Sequence, residues 1–208
     1  MPGNLYLTTA EFAAFGLADS TDPALIRVAS DLVDSFCQRT SLLVAQYTER
    51  NRLPEGRPIT RASVTPLAIA GGATTPFVSL RARYASLRGP DATTLAGFLE
   101  AFGGPPAWVD LDPAQTDYNA ATGEIWLPTG IFGALYSEVE MTYTAGYAEA
   151  PEGAKLACAQ IIRNMESHPA VNVRTAQLDR LQLEYFAASL LDEDTRRLLA
   201  PHVAVRLN

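Results

Sequence analysis

A chain of 208 residues, 48% of them hydrophobic, is long enough and apolar enough to bury a core rather than stay disordered. Its 16 Lys and Arg against 23 Asp and Glu leave a formal net charge of −7, which excludes an affinity built mainly on neutralising phosphates. No run approaches the roughly twenty apolar residues that cross a bilayer, and MPGNLYLTTAEF lacks the basic start and long apolar centre of a signal peptide, so the expectation is a soluble cytosolic product.

Taken in order, Thr8 followed by Glu11 fits a capping box, and Phe12, Phe15 and Leu17 with Gly16 predict a short helix closed by glycine. Asp22 as N-cap and Pro23 in the first turn open a longer helix. Its stripe of Leu25, Ile26, Val28, Ala29, Leu32, Val33, Phe36 and Cys37 is wide enough to face both another helix and a sheet. Residues 42–47 turn to β-formers, and residues 53–66 read as an edge strand or extended arm. A turn at Gly71 and Gly72 precedes an alternating strand from Phe77 to Arg83, which predicts a hairpin. Residues 93–102 predict a short helix stopped by two glycines and two prolines, residues 107–111 a strand, 112–122 a loop and 124–127 another strand.

The alternation of Val139, Met141 and Tyr143 with Glu140, Thr142 and Thr144 predicts a half-buried strand that Gly146 breaks. Beyond it Pro151 and Glu152 open a helix carrying Ala154, Ala157, Cys158, Ile161, Ile162 and Met165 at helical spacing. His168 and Pro169 stop it, Val171 to Val173 runs extended, and residues 178–191 leave helix and strand both open. Acids at Asp192 to Asp194 and bases at Arg196 and Arg197 fit a last short helix, ended by Pro201. The alternating tail after it, with Val203, Val205 and Leu207, is expected to lie exposed on an isolated subunit. The fold class is therefore α+β: one domain over 1–208, with a helical frame from residues 1–42 and 146–200, an inserted β-rich region of antiparallel strands at 43–145, and a tail at 201–208.

Catalytic machinery is sparse. His168 and His202 each stand beside a proline at a helix end, where a histidine caps or solvates, and no phosphate loop, nucleophile elbow or paired-cysteine zinc motif occurs. Asp110, Asp112 and Asp117 form the densest carboxylate group, but Gln115 and Ala121 stand where a calcium loop requires glycine and a bidentate acid. They read as turn residues, although Asp110, Asp112 and Glu124 would be the groups of a small metal-dependent hydrolase, the alternative from another class. Cys37 and Cys158 read as reduced core residues. Arg81, Arg83 and Arg88 come nearest to a basic cluster and read as a solvated sheet face, while Tyr136, Tyr143, Tyr147, Trp108 and Trp126 read as packing across a sheet.

The strand ending in TYTAGYA, the proline that follows and the small-residue-rich helix resemble the head-tail connector (adaptor) proteins of tailed bacteriophages. So do the short-then-long helix pair of residues 8–40, the hairpin-like TGEIWLP and the last short helix, in that order. The match covers about the first forty and last ninety residues, and residues 53–117 do not align. What the resemblance implies is a structural, non-enzymatic virion protein with no cofactor, assembled in the host cytoplasm and located at the neck between head and tail. It would be a helical bundle with a β extension, forming a ring of about twelve copies. One side would bind the portal and the other a stopper, neck or tail protein, with DNA passing through without specific binding. The junction residues Tyr143, Gly146, Tyr147 and Pro151 carry the resemblance, and the tail His202, Val203, Ala204, Val205, Arg206, Leu207 and Asn208 would dock on the portal, as an added strand can. Another neck or tail-completion protein of the same particle is the alternative within this class.

Overall fold

The computed structural model describes residues 5–53, 57–83, 107–128, 136–167, 175–178, 181–184 and 190–205. These form α1 (Pro23–Cys37), β1 (Ala45–Arg52), β2 (Ile59–Arg61), β3 (Phe77–Arg83), β4 (Val109–Leu111), β5 (Asp117–Tyr118), β6 (Glu124–Trp126), β7 (Glu138–Ala145), α2 (Glu152–Ser167), β8 (Thr175–Leu178), β9 (Leu181–Glu184) and α3 (Glu193–Leu199). The chain is mixed α+β, and its sheets are antiparallel. It divides into two units, Met1–Leu43 with Tyr147–Ala204 and Val44–Gly146 with Val205–Asn208.

In the first unit, Asp22 accepts the Ala24 N–H at 2.8 Å and Pro23 fills the first turn of α1, as the sequence predicts. Ile26, Ala29, Val33 and Cys37 are buried, with Leu25, Leu32 and Phe36 packed at their rim. Val28, counted on the stripe from its spacing, is 47% exposed. Two residues beyond Ile26, it is turned roughly 200° away from the core. Gln38 ends the helix at φ 55°, its N–H directed to the carbonyls of Asp34 and Ser35.

Helix α2 packs on α1 through Ala154, Ala157, Cys158, Ile161 and Ile162, and α3 packs on α2. Burying each isoleucine contributes about 2 kcal/mol. Both cysteines are buried and free, and burial pushes each thiol up to about 11. The expected first helix takes the form of two 3-10 turns, Thr9–Glu11 and Ala13–Phe15, the second closed by Gly16 at φ 70°. The Leu17 N–H then turns back to the Phe12 carbonyl, which drops both side chains into the core without a longer helix. Glu11 accepts the N–H and hydroxyl of Thr8 at 2.9 and 2.7 Å and the ammonium of Lys155 at 2.7 Å. Where the sequence left helix and strand open, β8 and β9 form an antiparallel hairpin.

The second unit holds a sheet in the order β1-β7-β3-β4 and another in the order β2-β6-β5. Along β7 Val139, Met141, Tyr143 and Ala145 are buried and the intervening residues half-buried. β1 alternates in the same way, with Tyr47, Glu49 and Asn51 inward and Gln46, Thr48, Arg50 and Arg52 exposed. β3 does not close a hairpin with the turn before it; it lies between β7 and β4, where its buried Phe77, Leu80 and Ala82 continue the apolar face of β7. Of the edge strand or extended arm expected over residues 53–66, the first is found: β2 is an end strand of the β2-β6-β5 sheet.

The expected loop 112–122 contains a 3-10 turn, Pro113–Gln115, and β5, which pairs with β6 across a turn at Gly123. Gly123 is required there: φ is 73°, and a Cβ would lie 2.6 Å from Cγ2 of Thr65. Trp126, expected inside, is 36% exposed, because Ile125 takes the buried position of β6. The helix expected at 93–102, the extended run at 171–173, and Arg88, His168 and Pro169 lie outside the described residues.

Candidate functional site

The strand-to-helix junction is built as its residues dictate. β7 ends at Ala145, and Gly146 adopts φ 126°, a conformation open to glycine, with its N–H donating to the Pro66 carbonyl at 2.9 Å. The Tyr147 N–H donates to the Leu42 carbonyl at 2.8 Å. Pro151 stands just ahead of α2, and its carbonyl accepts the N–H groups of Ala154 and Lys155 at 2.9 and 3.0 Å. Of the four junction residues, Tyr143 is wholly buried: its hydroxyl donates to the Glu49 carboxylate and accepts the Val64 N–H at 3.2 Å. Ser63 also donates to Glu49, through both its hydroxyl and its N–H. Burial, reinforced by the bond to Glu49, raises the Tyr143 hydroxyl well above its ordinary value. These contacts hold a turn in place and offer no reacting group.

The tail departs from its expected exposure at Val203 and meets it at Val205. His202, Val203 and Ala204 are half-buried, and Val205 is 43% exposed. The His202 ring meets Tyr147 edge-to-face at 5.4 Å, with Nδ1 3.1 Å from the tyrosine hydroxyl, and burial lowers its pKa, aided by the charge of Arg39. The Ala204 N–H donates to the Cys37 carbonyl at 2.9 Å. The physical reason is that the last carbonyls of a helix need donors, and the backbone after Pro201 supplies one. In the second unit the Val205 N–H donates to the Ser63 carbonyl at 2.9 Å. Arg206, Leu207 and Asn208 lie outside the described residues.

The carboxylates weighed for metal chemistry are not brought together. Asp110 lies exposed on β4 and Glu124 exposed on β6 of the other sheet. Asp112 caps a 3-10 turn, accepting the Ala114 N–H at 2.9 Å. Among the described residues no three His, Cys, Asp or Glu side chains are placed to hold a metal ion, and no helix is long and apolar enough to cross a membrane.

Arg81 and Arg83 do lie on the outer sheet face, joined there by Arg50, Trp108, Glu138 and Glu140, which sequence reasoning did not connect with them. The guanidinium groups of Arg50, Arg81 and Arg83 stand 5.2, 5.1 and 4.6 Å from the centre of the Trp108 ring. Glu138 accepts from Arg50 at 2.7 Å and from Arg83 at 2.6 Å, while Glu140 pairs with Arg81 at 2.6 Å. The Arg50 bond, ahead of the Arg83 bond, lowers the Glu138 pKa. Arginine at alternate positions of β1 and β3 was the available signal, but their shared neighbour β7 appears only in the fold. Trp108 is half-buried beneath these arginines, a use on the outer face rather than in the core. No model of a known protein family matches the chain, and no curated protein matches it.

Proposed function

We propose that this chain is a head-tail connector of a tailed bacteriophage, a non-catalytic subunit of the ring between portal and tail. The observation that carries the reading is the junction: an eight-residue strand, β7, a glycine at φ 126°, then Pro151 and the small-residue-rich helix α2. A short turn pair followed by α1 before the β-rich region, and α3 after α2, support the same order of parts. On this reading α1, α2 and α3 belong to a helical frame and residues 44–146 to its β extension. The net charge of −7 suits a channel through which DNA slides without adhering. His202 to Val205, being held by their own chain, leave Arg206, Leu207 and Asn208 as the part of the tail that reaches the portal first.

The test is attachment. The purified protein added to portal-bearing capsids filled with DNA should bind at the portal vertex in a ring and retain the genome. A truncation lacking residues 206–208 should fold, by circular dichroism, and bind less. Absence of the wild-type protein from the portal vertex would overturn the reading. A position at the distal end of the tail would replace it with a tail-completion role.

A further inference from the structure

We infer that copies of this chain associate by joining the two end strands of one sheet, β1 of one copy to β4 of the next. The sheet runs β1-β7-β3-β4 with every neighbouring pair antiparallel. Its end strands therefore run in opposite directions, so β4 of one copy laid beside β1 of another continues the alternation.

The backbone groups at both edges point outward. In an antiparallel strand alternate residues direct N–H and C=O to the same neighbour. The Thr144 N–H donates to the Pro76 carbonyl, on the β3 side, so even-numbered residues of β7 serve β3 and odd-numbered ones serve β1. With Tyr47 opposite Tyr143 and Glu49 opposite Met141, the backbones of Gln46, Thr48, Arg50 and Arg52 face the outer edge. On β3, Ser79 and Arg81 face β7, so Leu80 and Ala82 face β4. Their partners Leu111 and Val109 use the inner side of β4, which leaves the Asp110 backbone outward. Among the described residues neither edge carries a further strand.

The side chains at these outward positions are complementary in charge. Arg50 and Arg52 lie on β1 and Asp110 and Asp112 on or just after β4, and all four are exposed. Arg50, Glu140, Arg81 and Asp110 form one row across the sheet, so the arginines and Asp110 share a face. Setting Asp110 opposite Arg52 keeps the backbone groups in phase and pairs that acid with that base, and it brings Asp112, whose carboxylate also caps the Pro113–Gln115 turn, opposite Arg50. β1 has no proline, glycine or bulge to blunt its eight-residue edge. Such a contact is heterologous, with different surfaces on the two copies, and closes into a ring or continues as a filament. It deepens the connector reading by naming the contact that would close its ring, and it rests on that reading only for the closure.

Sedimentation velocity over a concentration series tests it. Arg52→Glu or Asp110→Arg alone should weaken self-association at least about tenfold, and the charge-swapped double variant should recover most of it. In a mixture of Arg52→Cys and Asp110→Cys proteins, mild oxidation should link one copy to another, because opposed residues lie about 4.5–5.5 Å apart between Cα atoms. The native Cys37 and Cys158 are buried and do not compete. Single variants that associate like the wild type, a folded double variant that does not recover, a mixture that does not cross-link, or a wild type monomeric at its highest soluble concentration would each overturn the inference. The connector reading fails separately, by absence of the wild type from the portal vertex.

Discussion

Each unit contains a buried tyrosine whose hydroxyl donates to a carboxylate and accepts a backbone N–H, and the two clasps differ in how the carboxylate is treated. Tyr143 donates to Glu49 and accepts from Val64, and Glu49 is further supplied by the hydroxyl and N–H of Ser63. Tyr6 donates to Asp34 and accepts the Leu42 N–H at 2.8 Å. There burial outweighs the bond from Tyr6, and the Asp34 carboxyl is pushed up to about 6. The Tyr143 clasp is therefore set apart by two further donors on its carboxylate, and the Tyr6 clasp by a carboxyl whose raised pKa makes stability depend on pH.

The sharpest way to break this contrast is Tyr143→Phe, which leaves the Val64 N–H and part of the Glu49 carboxylate without a partner. It should cost about 3 kcal/mol in urea unfolding; a change below about 1 kcal/mol would show that Glu49 finds water instead. Next in size is Gly146→Val, which strikes the link between the units. Placing a β-branched residue at φ 126° should cost about 2 kcal/mol, and an unchanged melting temperature would remove the strain assigned to that turn.

Asp34→Asn sharpens the other side. Because the folded-state pKa of Asp34 lies above its unfolded value, its contribution is most favourable below about pH 4 and declines as pH rises through about 6. The asparagine variant should be more stable than wild type at pH 7 by about 1 kcal/mol, after discounting for the half-exposed site, and equal to it near pH 4. Equal stability at both pH values would show that Asp34 is solvated after all. The smallest effect belongs to Glu11, held down to about 2 chiefly by its bond to Lys155 and then by Thr8. Its contribution is present above the unfolded pKa and lost as pH falls from about 4.5 toward 2. Glu11→Gln should cost about 0.5 kcal/mol at pH 7 and nothing near pH 2; a loss independent of pH would mean the side chain acts through packing.

The parts legible in the sequence are those whose signals are local. Asp22 and Pro23 mark the start of α1, the alternation from Val139 to Tyr143 marks β7, and Gly146 with Pro151 marks the turn into α2. The rest depended on partners far along the chain. β1 carries Tyr47, Glu49 and Asn51 on its inner side, so no apolar period announced its full length; only the Tyr143, Ser63 and Thr60 groups that meet them make those positions interior. β3 looked like half of a hairpin because its pairing with β7 crosses some sixty residues, as between Arg81 and Glu140. The end of α1 at Gln38 was hidden for another reason: a left-handed cap is usually glycine. The tail looked unpartnered because a helix carbonyl in need of a donor leaves no trace in sequence.

The pairing of β1 with β7 also sets a waiting time. Arg50 and Glu138 are 88 residues apart, so during synthesis β1 leaves the ribosome and remains without its neighbour for about 4–18 s at ordinary elongation rates. An apolar strand waiting that long would invite association with other nascent chains. Gln46, Thr48, Arg50 and Arg52 on one side, with Glu49 and Asn51 on the other, make this strand soluble while it waits. Its polarity, costly to bury later, thus acts as its own chaperone until β7 arrives.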